Sequence, residues 1–222
     1  MTLRDQPYGH FTGARIEVPV DPLLRLQGYR DMARVRPRVR EIATKVAALA
    51  GTLVAPETFY RRLRIGSCTP AALVLETGAE TGAETGAETG VTFHSAEFAK
   101  VLGGCREVVV FVLTLGAGFD AEAERFTAND EIVEALFMEM AGWIAVERVT
   151  KNFAGHLGSL LRGEGLAPTR RLGPGYVDWP LEEQAALFTL LDGAPLPVRL
   201  LDSCAMIPKK SRSGLYGLRP LD

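Results

Sequence analysis

The sequence is short of the residues that most often advertise chemistry. It holds three cysteines, Cys68, Cys105 and Cys204, an odd number at wide spacing. That pattern excludes a disulfide framework and any Cys-x-x-Cys metal pair. His10, His94 and His156 are equally scattered, so no zinc-ligand spacing is present and no metal is expected. An excess of one charge sign is missing too. Lys and Arg total 25 against 27 Asp and Glu, a net charge of -2, which argues against a nucleic-acid partner. No run of about 18 apolar residues occurs, so no membrane span is expected. The opening MTLRDQPYGHFTG lacks the apolar centre of a signal peptide, and a cytoplasmic location is the expectation. His-Glu-x-x-His, Gly-x-Ser-x-Gly and Walker patterns are absent, and no nucleophile has an evident base partner. No catalytic side chain is expected; bound cofactors would carry the chemistry.

What is present suits a folded core, since 47% of the residues are apolar. One unit over residues 1–222 is expected. Residues 14–20 alternate as a strand would, and Asp21 with Pro22 reads as the capped start of a short helix. A helix follows over 36–51, closed by Gly51, with Arg36, Arg38, Arg40 and Lys45 on a solvated face. Thr58 to Ile65 alternates again. AALVLETG and GVTFHS read as two strands around four copies of Glu-Thr-Gly in residues 76–90. That tract has nothing to bury and is expected to form a mobile hairpin loop. SAEFAKVLGG reads as a helix capped by Ser95. Arg106 to Gly116 is nearly all apolar and β-branched, as a central strand covered on both faces is. Gly116 and Gly118 then suggest tight packing at a turn into the next helix. Residues 130–165 form the longest helical pattern, too apolar for one narrow stripe, with Glu147 among its apolar residues. Glu147 is either an exposed acid paired with Lys151 or a group held for a ligand. Pro180 to Gly193 reads as an amphipathic helix and PVRLLDS as a strand.

The stretch RRLGPGYVDWPLEEQ, residues 170–184, combines a fork donor, two glycines and two aromatics ahead of a helix start. Arg171 suits a carboxylate or phosphate. Gly173, Pro174 and Gly175 set an unusual backbone path. The backbone at Tyr176 can then face a heterocycle, and Glu147 can take an ammonium group. Together these describe an amino-acid nucleoside, although Arg and Gly loops bind phosphates too. Trp179 is left between ligand wall and core. The chain continues into LLDSCAMIPKKSRSGLYGL, where small residues allow close approach of a flat ligand or an ordinary edge strand.

Two motifs then resemble a known family, the reactivation domain of cobalamin-dependent methionine synthase, which binds S-adenosylmethionine. One is Arg-x-x-x-Gly-Tyr with a later proline, here Arg171, Gly175, Tyr176 and Pro180. The other carries Leu200, Ser203, Ala205, Met206, Pro208, Ser211, Ser213, Gly214 and Tyr216. The specific match runs from about Val146 to Gly217, with looser agreement in LLRLQGY and VVVFVLTLG. The run VDWPLEEQ departs from the long multidomain enzyme and looks like the short free-standing form.

The resemblance implies an α+β fold, with a twisted, mainly antiparallel sheet flanked by helices. It implies S-adenosylmethionine binding by Arg171, Gly175, Tyr176, Glu147, Ser203, Ala205, Met206, Ser213, Gly214 and Tyr216. Arg171 would meet the methionyl carboxylate, the Tyr176 backbone the adenine end, and Glu147 the amine. It further implies reductive methylation of cob(II)alamin. No cobalamin module is evident, so the cobalamin would ride on a partner: subunits of a split methionine synthase, or another corrinoid methyltransferase. A flavodoxin-like or ferredoxin-like reductant would supply the electron. The alternative is a non-catalytic module that binds S-adenosylmethionine or scaffolds a corrinoid protein.

Overall fold

The computed structural model describes residues 7–77 and 90–221. The greater part of the Glu-Thr-Gly tract, 78–89, lies outside them, and so does the expectation that it is mobile. In chain order come β1 (Gly9–Thr12), α1 (Val20–Leu26), α2 (Pro37–Leu53), β2 (Glu57–Cys68), β3 (Ala72–Glu76), β4 (Gly90–His94) and α3 (Glu97–Leu102). Then follow β5 (Glu107–Thr114), α4 (Gly118–Ala128), α5 (Ile132–Arg162), β6 (Leu166–Pro168), α6 (Gln184–Thr189), β7 (Arg199–Leu200), β8 (Met206–Ile207) and β9 (Ser211–Pro220).

The main sheet runs β4-β3-β2-β5-β9-β6, with β1 paired to the first part of β2. Every pairing is antiparallel. A bulge between Ile65 and Ser67 lets one long strand serve β1 at its start and β3 at its end. Helices cover both faces, giving the α+β architecture expected.

β5 explains why its sequence is almost uniformly apolar. Val109, Phe111 and Leu113 enter one core, against α1, α2, α4 and α5. Val108, Val110 and Val112 enter the other, beneath α3 and α6. Successive side chains point to opposite faces, so a strand covered on both sides needs apolar residues throughout. β9 divides in the same way, with Tyr216 and Leu218 in the first core and Leu215 in the second.

Several expectations change. Residues 14–19 form neither helix nor strand, Val20 already begins α1, and Ile16 and Val18 are buried without a ladder partner. Alternation there reports a chain lying on α2, and the edge strand is β1 instead. Asp21 does not cap α1; Pro19 takes that position, and the Asp21 carboxylate accepts from Arg40 at 3.1 Å. Gly51 does not close α2, which continues to Leu53; its missing Cβ leaves room beside the Ile16 carbonyl, 3.4 Å from where that carbon would lie. Gly116 is required by its φ of +83°, which favours glycine, rather than by packing alone. The helix expected over 180–193 is broken into a 3-10 turn, Leu181–Glu183, and the single turn and a half of α6. PVRLLDS yields only the two residues of β7. β9 gains a second strand neighbour only at its end, where β6 pairs with Leu218 to Pro220; before that its outer flank meets the loop that carries Thr169 and Leu172. Among the described residues, no helix is long and apolar enough to cross a membrane.

Candidate functional site

The site forms where α5 passes over β9. α5 brings Gly142, Trp143, Val146, Glu147 and Thr150 to this side, spaced by three and four residues as one helical face requires. Lys210 crosses α5 at Gly142, where a Cβ would stand 2.5 Å from its Cε. A Cβ there would force the lysine stem to shift. Lys210 is buried and ends on Glu139. Two residues on, Arg212 is buried too. Its guanidinium donates to Glu147 at 2.6 Å and to the Thr150 hydroxyl at 3.1 Å. The Thr150 hydroxyl itself donates to the Val146 carbonyl at 2.7 Å. Arg212 above all holds the Glu147 carboxyl below its usual range; burial opposes this, while Arg171 and Lys151 add to it.

The loop before α6 supplies the second wall. Leu172 and Leu215 exchange backbone hydrogen bonds at 3.0 and 2.9 Å, which pins the loop to β9. Gly214 sits at that crossing with φ +153°, and a Cβ there would collide with the Leu172 carbonyl oxygen. Gly175 has φ +79°, and its N–H donates to the Trp179 carbonyl at 2.9 Å. Tyr176 donates its N–H to Gly173 at 3.3 Å and accepts from Trp179 at 3.2 Å. Both backbone groups of Tyr176 therefore serve the turn; its carbonyl keeps a second lone pair for a ligand. Trp179 resolves to core. It is 3% exposed, edge-on to Phe93 and Phe98, with its indole N–H on Glu183 at 2.9 Å.

Arg171 lies over the Tyr176 ring, 4.8 Å from its centroid, and reaches the Ser213 carbonyl at 3.4 Å. Among the described residues no carboxylate pairs with it. Burial pulls its pKa down, and Arg212 nearby pulls further. A half-buried cation beside another cation favours an anionic ligand. Tyr176 is 49% exposed and stands between two cavities of about 150 and 160 Å³. The first is lined by Trp143, Met206, Lys209, Arg212 and Ser213 among others, the second by Arg171, Gly173 and Phe98 among others.

The structure thus brings Arg171, Tyr176, Glu147, Met206 and Ser213 together. The alternative pairing of Glu147 with Lys151 gives way to Arg212. Gly175 and Gly214 shape the backbone. Tyr216 is buried and stacked on Phe111 at 5.4 Å between ring centres, with its hydroxyl in the field of Arg171, Arg212 and Glu147. Burial pushes its pKa up to about 12. Ser203 and Ala205 lie exposed on the turn between β7 and β8, where the Ala205 carbonyl accepts from Leu201 at 2.9 Å; neither lines a cavity described here. The sequence reading passed over Arg212, Lys210, Gln184 and Trp143. Gln184 accepts from the Ser213 hydroxyl at 2.7 Å and donates to the Cys204 carbonyl at 2.5 Å, tying the β7–β8 turn to β9. The available signal was alternation: Arg212 is two and four residues from Gly214 and Tyr216, so it shares their face.

No protein-family model matches the sequence, and no curated protein matches it. A solved structure does: the crystal structure of the MetH reactivation domain bound to AdoHcy, with a TM-score of 0.61 over 96% of this chain and 78% of that one. The chain has the reactivation-domain fold. At 17% identity the likeness is one of fold. It accounts for the antiparallel sheet flanked by helices, and agrees with the architecture that the two motifs implied. Within this fold the Arg171 loop, β9 and α5 converge on one cleft.

Proposed function

We propose that this chain binds S-adenosylmethionine in the cleft between α5, β9 and the Arg171 loop. There it donates a methyl group to a reduced corrinoid on a separate protein. The observation that carries this reading is Arg171, a half-buried guanidinium with no carboxylate partner among the described residues, stacked on Tyr176 within a reactivation-domain fold. The methionyl carboxylate answers that charge. Ligand aromatic surface packs beside Tyr176, and the free oxygen of Glu147 is placed for the amine. The solved neighbour holds AdoHcy, the nucleoside left after such a transfer.

The chain's own contribution is placement. The methyl carbon moves to the acceptor's nucleophilic centre, and the carbon–sulfur electron pair stays on sulfur. Cobalamin on the partner supplies that centre after a flavodoxin-like or ferredoxin-like donor provides one electron. No acid or base of this chain is needed, and fixed geometry supplies the acceleration. The partner is a cobalamin-binding protein, as in a split methionine synthase.

Two measurements test this. Calorimetry at millimolar S-adenosylmethionine should give a heat of binding; none would end the proposal. Mixing the chain with a corrinoid protein, a one-electron reductant and S-adenosylmethionine should convert cob(II)alamin absorbance to that of methylcobalamin. Binding without conversion would assign the chain as a non-catalytic module.

A further inference from the structure

The two tryptophans of the chain are used in opposite ways. Trp179 is buried against Phe93 and Phe98, with its indole N–H on Glu183. Trp143 is 53% exposed, and among the described residues its ring has no aromatic neighbour and its indole N–H no acceptor. It nevertheless lines the first cavity, where Val146, Pro174, Tyr176 and Met206 add apolar surface. At about 150 Å³ that cavity has the size that takes one aromatic ring. Its buried polar groups are already answered within the chain: Lys210 by Glu139, Arg212 by Glu147, and Gln184 by Ser213 and the Cys204 carbonyl. Lys209, the remaining cation on its wall, is exposed. The second cavity differs. Arg171 lines it, and the acid there, Glu97, is held by Arg170 and Lys100. An anionic group is therefore drawn to the second cavity, and a neutral flat ring suits the first.

We infer that Trp143 is the stacking wall for the nucleobase, which lies between it and Tyr176 while the amino-acid end reaches Arg171. This rests on the proposed function and adds the base-binding residue to it. Arg171 takes one face of the Tyr176 ring, which leaves the other for the base. Glu147 follows Trp143 by one turn of α5, on the same helical face, so base and amine lie in order along one helix. The placement also accounts for the exposure of Trp143: its apolar face waits in water and is covered when the ligand enters. Stacking is tolerant of base identity, so Trp143 sets affinity rather than the choice of purine.

The test titrates the full chain with S-adenosylmethionine, following tryptophan emission and, in parallel, the heat of binding. Emission should change in the wild type. Trp143→Phe should abolish that change and still bind, because a phenyl ring keeps a stacking face and the remaining Trp179 is buried. Trp143→Ala should weaken binding roughly fivefold to a hundredfold, with the urea midpoint unmoved. 5′-Methylthioadenosine, which keeps the base and lacks the amino-acid end, should move the same emission; methionine should not. Emission unmoved by 5′-methylthioadenosine, a change that survives in Trp143→Phe, full affinity in Trp143→Ala, or affinity lost only together with the urea midpoint would overturn the inference and leave the proposed function standing. No heat of binding with S-adenosylmethionine would overturn the proposed function, and this inference with it.

Discussion

Glu147 on α5 and Arg212 on β9 are joined at 2.6 Å, and this pair ties the long helix to β9 at the site itself. The arginine side chain is 8% exposed and the glutamate 45%. One partner is therefore desolvated and the other keeps water. The desolvated arginine depends on its carboxylate, while the half-exposed carboxylate limits what the pair contributes.

The pair predicts an acid-side loss of stability. Arg212, first, and then Arg171 and Lys151 hold Glu147 below its ordinary value of 4.5. A depressed carboxylate stabilises the fold above its unfolded value, and that contribution is lost as pH falls through the lower folded value. Urea unfolding of Glu147→Gln should be weaker than wild type by about 1 kcal/mol at neutral pH. The difference should close as the pH falls below about 4. A difference that persists unchanged into acid would refute this account.

At the alkaline side Tyr216 acts with the opposite sign. Its pKa is raised to about 12 by burial, so its contribution is complete below the unfolded value near 10 and lost as pH rises towards 12. About 2 kcal/mol should disappear over that window. Tyr216→Phe should remove this part of the alkaline slope; Tyr60, also raised by burial, supplies some of the remainder. Spectrophotometric titration of the phenols would locate the late-ionising group.

Arg171→Ala should weaken S-adenosylmethionine binding by about 1.5–3 kcal/mol, the usual worth of a hydrogen bond to a charged group. Arg171→Lys should recover only part of this, because an ammonium lacks the planar fork and stacks less well on Tyr176. Calorimetry checks both variants, and full affinity in Arg171→Ala would remove the residue from the site.

Gly214→Ala tests the crossing. The new methyl would meet the Leu172 carbonyl, at a φ that L residues rarely adopt. A cost of about 3 kcal/mol is expected, at the upper end for overpacking. The loop should lift from β9, so ligand affinity should fall together with the urea midpoint.

The sequence made some of this readable and hid the rest for physical reasons. β5 was legible because two covered faces leave an unmistakable apolar run. The loop from Arg171 to Tyr176 was legible because glycine, proline and arginine each restrict what the backbone can do there. Residues 14–20 misled because alternating burial needs only a surface on one side, and α2 provides it without hydrogen bonds. The break in the helix at 180–193 was not legible, because Leu187, Leu190 and Leu191 enter the second core at the i, i+3, i+4 spacing of one helical face although α6 ends at Thr189. Arg212 was hidden among small residues, and its partners lie more than sixty residues away on α5. Gln184 carried no local sign at all, since both of its bonds are to distant segments.

β9 enters between β5 and β6 only after the whole of α4 to β8 has been made. Until that strand leaves the ribosome, one flank of β5 offers open hydrogen-bonding groups and valines to any passing chain. The same strand delivers Arg212, Ser213 and the seat for the Arg171 loop. A nascent chain is therefore at its most adhesive and least able to hold a ligand at one and the same stage. Closing the sheet ends both conditions in a single event.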